Sequence, residues 1–234
     1  MKQRSSLFPR LLPIVTLIAG FALAAVAWAH GVEERDAAFL ERNAGHALLA
    51  FAYLGAKHMI TGYDHLLYLL GVIFFLYRPK DIALYVTLFA FGHSITLLAG
   101  VLGGIGVNVY LVDAIIGLSV VYKAFENLDG FRKFFGVSPN PKAAVFLFGL
   151  VHGFGLATKL QELTLSAEGL IANIIAFNVG VEIGQLLALV GLLFVINAWR
   201  ALGSFDRHAS AFNFALMFAG FALAIYQLAG YFVA

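Results

Sequence analysis

The chain has 234 residues, of which 62% are hydrophobic and 12% charged, with a mean hydropathy of +0.90. Soluble domains carry roughly twice that charged fraction, so an ordinary water-soluble fold is excluded. A formal net charge of +2 without a basic cluster excludes a nucleic-acid binder, and the absence of cysteine excludes disulfides and thiolate metal sites.

In chain order, Lys2, Arg4 and Arg10 precede an apolar core that ends at Ala27-Trp28-Ala29. Basic start, apolar core and A-x-A site predict an export signal over residues 1–29, whose removal makes His30 the mature N-terminus. Residues 30–62 are expected outside the cytoplasm. Within them a charged stretch over 31–42 leads into an apolar run over 44–60 carrying His46, Lys57 and His58. That run reads as an interfacial or re-entrant helix.

Residues 63–234 are expected to form an all-α, polytopic membrane bundle of about six transmembrane helices at ~20 residues each. The predicted spans are 64–77, 82–102, 109–126, 143–158, 170–197 and 212–232, with His208 in the loop before the last. The first stops at Arg78-Pro79-Lys80, and the third gives way to a polar loop through Ser138-Pro139-Asn140-Pro141. Loops after the odd-numbered spans hold Arg78, Lys80, Arg132, Lys133, Lys142, Arg200 and Arg207, whereas those opposite hold only Lys159. The positive-inside rule then puts both mature ends on the periplasmic side of an inner membrane, in agreement with the signal.

Against this background the titratable residues stand out. His58, Asp64, His65, His93, His152 and Glu182 lie in or beside stretches that are otherwise hydrocarbon. Such groups at membrane depth cost at least a few kcal/mol, so they face a bundle interior and have partners. Imidazole and carboxylate are the ligands of nickel, cobalt, zinc and iron in their divalent states. In one continuous helix, His58 and His65 would stand ~10.5 Å apart along the axis, too far to share an ion. Either the helix breaks at Thr61-Gly62 and folds His58 back over His65, or the two serve successive sites. Asp64 can cap the next helix, orient His65 or bind metal itself.

The remaining polar residues line up behind these. Asn178, Glu182 and Gln185 are spaced i, i+4, i+7 and share a stripe, with Gly180 and Gly184 opposite for a close helix neighbour. Thr96 shares a face with His93. Lys123, Glu126 and Asn127 end the third span, either as a helix-terminating pair or as a cytoplasmic exit gate. Thr96, Asn178, Gln185, Glu126 and Asn127 are therefore assigned to the surroundings of the site or to a pathway.

These motifs resemble those of the HupE/UreJ family. The segment Gly55-Ala56-Lys57-His58, continuing through Gly62-Tyr63-Asp64-His65, is similar to that family's H-x5-D-H signature. Phe91-Gly92-His93-Ser94-Ile95-Thr96, His152 within its glycines and Glu182-Ile183-Gly184-Gln185 look like its later motifs. His-Ser-Ile-Thr and Glu126-Asn127-Leu128 are closer to the second, less characterised branch. The resemblance implies a nickel-permease-like membrane protein encoded with hydrogenase or urease genes, and it carries the family's metal-linked roles onto His58, Asp64, His65, His93, His152 and Glu182.

The leading expectation is an inner-membrane permease for a divalent transition metal, nickel or cobalt before zinc. Two other readings remain. One is an intramembrane zinc enzyme using His93, His152 and Glu182, although no H-E-x-x-H pair is present. The other is a non-transporting metal-binding assembly factor. Partners expected are the lipid bilayer, the metal ion, metalloenzyme maturation proteins and a second copy of the chain.

Overall fold

A computed structural model describes residues 47–161 and 169–233. The signal over 1–29, His30, His46 and the charged stretch over 31–42 lie outside the described residues. What is described is helical throughout. The elements are α1 (Leu48–Thr61), α2 (Tyr63–Ile73), α3 (Pro79–Gly103), α4 (Val109–Asn127), α5 (Gly130–Phe135), α6 (Pro141–Gln161), α7 (Leu170–Ala201) and α8 (Phe205–Val233).

Four of these are long and apolar enough to cross a membrane: α3, α6, α7 and α8. Among the described residues the expected count of six is therefore not confirmed. The first expected span shrinks to α2, an apolar helix of 11 residues, because the chain leaves the helix at Phe74 rather than Tyr77. The third survives as α4, whose 19 residues include Asp113, Lys123 and Glu126. Other boundaries also shift. Pro79 opens α3 from its first turn, where the missing N–H is no loss. α8 begins seven residues before the expected Phe212, so His208 is helical, its ring bonded to the Ser204 carbonyl at 2.9 Å. The polar loop after α4 contains the short helix α5.

Three helix pairs carry most of the packing: α1 with α7, α3 with α6, and α4 with α8. Each is built on glycine, because where helices meet in lipid it is backbone approach that generates attraction. A Cβ on Gly55 would fall on the Phe177 carbonyl, and one on Gly180 or Gly184 on the carbonyl of Ala52 or Ala56. Gly92 and Gly149 meet the carbonyls of Phe146 and Phe89 across the second pair, and Gly117 and Gly220 abut one another across the third. The face expected for Gly180 and Gly184 is thus the one α1 occupies.

The short helix α2 is the centre of the arrangement. It touches α1, α3, α4, α7 and α8, and seven of its residues from His65 to Ile73 are buried. Its first carbonyls and amides are separated from α1 by Gly62, whose extended ψ of 97° breaks the helix after the Gly62 amide has bonded back to His58. At its other end the orphan carbonyls of Phe74 and Leu76 accept from the Arg200 guanidinium at 2.6 and 3.1 Å, with Tyr77 stacked on the same group. A half-length helix is held in place from both ends.

Candidate functional site

The break at Gly62 decides the geometry. α1 and α2 form two helices rather than one, and His58 folds back so that its ring centroid lies 5.1 Å from that of His65. His65 is the hub. Its centroid is 4.9 Å from His152 on α6 and 6.0 Å from His93 on α3. Four helices therefore deliver four imidazoles to one place. The walls are aromatic: Phe89 lies 4.9 Å from His152, Tyr68 5.4 Å from His152, and Phe177 6.5 Å from His58. Two apolar clusters, one around Tyr68 and Phe89 and the other around Met59 and Phe177, meet at these rings.

Hydrogen bonds fix the tautomers of two of the four. Asp64 Oδ1 accepts from the His65 backbone amide and stands 2.8 Å from His65 Nδ1. A carboxylate accepts, so Nδ1 carries the proton and Nε2 keeps its lone pair. The same holds at His152, whose Nδ1 donates to the Phe148 carbonyl at 2.7 Å. Both rings are oriented from behind, as second-shell partners orient metal-binding histidines. Of the roles open to Asp64, orientation of His65 is the one its hydrogen bonds display.

The opposite edges of the rings are bare. His58 Nε2, His65 Nε2, His152 Nε2 and both nitrogens of His93 are buried with no hydrogen-bond partner. An unpaired buried polar group costs about 1–3 kcal/mol, and here five of them are gathered around one ring. With metal–nitrogen bonds of about 2.0–2.1 Å, two imidazoles on one ion stand roughly 5 Å apart between centroids. The observed separations fall on that scale. Among the described residues, however, no three His, Asp or Glu groups stand in coordination geometry as they are, so the rings must rotate to share an ion.

The other expected residues divide. Glu182 is exposed on the outward side of α7, outside the buried cluster, whereas its stripe neighbour Gln185 is 2% exposed and donates to the Val86 carbonyl. Asn178 donates to Ser94 at 2.9 Å, and its Oδ1 is left buried and unpartnered. The Thr96 hydroxyl is committed to the Leu150 carbonyl at 2.7 Å and ties α3 to α6. Glu126 pairs with Lys123 at 3.0 Å, and Asn127 bridges the Gly71 carbonyl and Asn213, both at 2.9 Å.

Sequence reasoning missed Asp113, Lys159, Gln227 and Asn213. Asp113 sits in the apolar run Val112-Asp113-Ala114-Ile115 and carries the same signal as the other buried titratable residues. Lys159 was counted only as a loop charge. In the structure it ends α6, its Nζ 2.8 Å from Asp113 Oδ2. Nothing local marks Gln227 or Asn213, whose partners lie 114 and 86 residues away.

Comparison with curated proteins and with solved structures gives no match. The family model described as HupE / UreJ protein matches residues 34–234, which take in every helix among the described residues and the whole histidine cluster. The chain belongs to the HupE/UreJ family.

Proposed function

We propose that the protein is an inner-membrane permease for a divalent transition metal, nickel or cobalt first, whose cargo passes through the histidine cluster. The observation that carries this reading is the set of five buried imidazole nitrogens without partners around His65. A structural core would satisfy such groups, since each one left bare opposes folding. A neutral imidazole offers one lone pair, so the four rings offer four, which suit borderline divalent ions, and the family membership supports the same class of cargo.

The chemistry follows from the donors. Ions arrive from the periplasmic side past Asp64, whose side chain is 30% exposed, and exchange water for imidazole at His58 and His65. His93 and His152 take the ion deeper, and His65, in contact with both, hands it over. That the rings do not stand ready as a coordination set accords with a cargo site, where binding must be weak enough to release. A resident catalytic zinc would call for a fixed ligand set, and Glu182, one of its expected ligands, is exposed. Both chain ends lie on the periplasmic side in this scheme.

The test is uptake by sealed vesicles holding the purified protein, with a panel of nickel, cobalt, zinc and manganese. Saturable entry of nickel or cobalt, lost in His65→Ala at equal abundance, is the expected result. Metal that binds without crossing would instead identify an assembly factor, and absence of both would end the metal reading.

A further inference from the structure

Outside the histidine cluster one ion pair is buried that the scheme above leaves unused. Asp113 on α4 and Lys159 on α6 are 2.8 Å apart, with side chains 9% and 16% exposed, and Gln227 on α8 approaches the same carboxylate oxygen at 3.4 Å. Its position ties it to the cluster. Lys159 follows His152 by seven residues on the same face of α6, about 10.5 Å along the axis. Between them lies Gly155, where an added Cβ would stand 3.6 Å from Asp113 Oδ1, so the carboxylate leans over the stretch of α6 that separates the two.

We propose that Asp113 and Lys159 form an electrostatic lock on the outer side of the histidine cluster, in which Lys159 is a tethered cation that an incoming divalent ion must share a carboxylate with. This inference rests on the metal-permease reading. Asp64, Asp113 and Lys159 are the charged groups counted around the neutral imidazoles, and together they sum to a charge near −1. A divalent ion entering such a site is attracted, yet the ammonium limits how tightly it is held. Removing Lys159 alone brings the charge near −2 and traps the ion; removing Asp113 alone leaves Lys159 balanced by Asp64 only, near neutrality, and weakens the attraction. Removing both restores the original charge.

A pair that merely fastens α4 to α6 behaves differently. Breaking it from either side lowers stability, and neither change tightens metal binding. The experiment is a charge cycle on the purified full-length protein, with nickel affinity, vesicle uptake and thermal unfolding measured for Lys159→Gln, Asp113→Asn, the double variant and Lys159→Arg. A unit charge roughly 10 Å from a divalent ion supports changes of at least about tenfold. We expect Lys159→Gln to bind nickel about tenfold tighter while transporting it more slowly, and Asp113→Asn to bind about tenfold more weakly. The double variant should return to within about threefold of wild type, and Lys159→Arg should match it. Equal affinities in both single variants, or a double variant as weak as Asp113→Asn, would overturn the lock while leaving the permease intact. Absence of nickel binding by the wild-type protein would overturn both.

Discussion

Two of the polar groups in this bundle differ in how their atoms are satisfied. At the end of α4, Lys123 pairs with Glu126, Asn127 spans Gly71 and Asn213, and Asn213 donates in turn to the Ala209 carbonyl at 2.9 Å. None of these four leaves a buried side-chain nitrogen or oxygen without a partner. The cluster around His65 is the reverse: its hydrogen bonds are made behind the rings, and five nitrogens point at nothing. A closed network fastens helices. Ring nitrogens left open in this way are what the proposed passage of a divalent ion requires.

The comparison is broken most sharply by exchanging the outcomes of two substitutions. His65→Ala removes the hub of all three ring contacts and should lower nickel affinity by at least about 100-fold, with little loss of thermal stability, because it removes a bare polar atom as well as packing. Asn213→Ala should do the opposite, lowering stability by about 1–3 kcal/mol through the partners it strands, with nickel affinity per folded molecule unchanged. Calorimetry and metal titration on both variants check this. Similar profiles for the two would erase the distinction.

A smaller effect is expected at Asp64. Asp64→Asn keeps the shape but weakens the orienting bond to His65 Nδ1, and loss of such a second-shell partner typically lowers metal affinity 10–100-fold. Binding should also weaken steadily as pH falls, because a ligating imidazole must be neutral and bound metal and proton compete for the same nitrogen. A nickel affinity that stays flat from neutral to acid pH would count against imidazole ligation altogether.

Glycine substitutions probe the scaffold rather than the site. Gly180→Ala pushes a methyl onto the Ala52 backbone and should lower stability by an amount typical of overpacking, about 1–3 kcal/mol. Gly191→Ala on the same helix meets nothing within 4 Å and serves as the neutral control. Equal effects at the two positions would show that close packing of α1 on α7 contributes nothing.

The smallest effect is assigned to Glu182, where the sequence expectation and the structure part. At about 100° per residue, Glu182 lies roughly 40° from Asn178 and 60° from Gln185 around α7. A stripe of that width straddles the edge of a packed face, and periodicity alone does not say on which side each member falls. Here Gln185 falls inside and Glu182 outside. Glu182→Gln should therefore change nickel affinity less than about twofold, within the range of ordinary surface substitutions. A loss comparable to that of His65→Ala would return Glu182 to the ligand set.

Much else was legible because it depends on chemistry local to the chain. Gly62 offered the only way for His58 and His65 to meet, and the chain breaks there. Gly180 and Gly184 announced a close neighbour. What stayed hidden depends on contacts across the sequence. The paired use of Lys159 and Asp113 bridges 46 positions, and the capping of α2 by Arg200 bridges 126 and 124. The number of spanning helices is hard to read from sequence for a related reason. An apolar run reads the same whether it ends as a full span or, like α2, as a short helix enclosed by its neighbours.

The central claim is that the cargo ion takes its ligands from the imidazoles of His58, His65, His93 and His152 as His65 hands it inward, and rests on His65, His93 and His152. X-ray absorption of the nickel-loaded protein tests it directly, since imidazole rings give a scattering signature that water and carboxylate lack. The account predicts at least three imidazole ligands in the wild-type protein and the loss of one in each of His65→Ala and His152→Ala. A shell made of oxygen alone, or one unaltered by both substitutions, would contradict it.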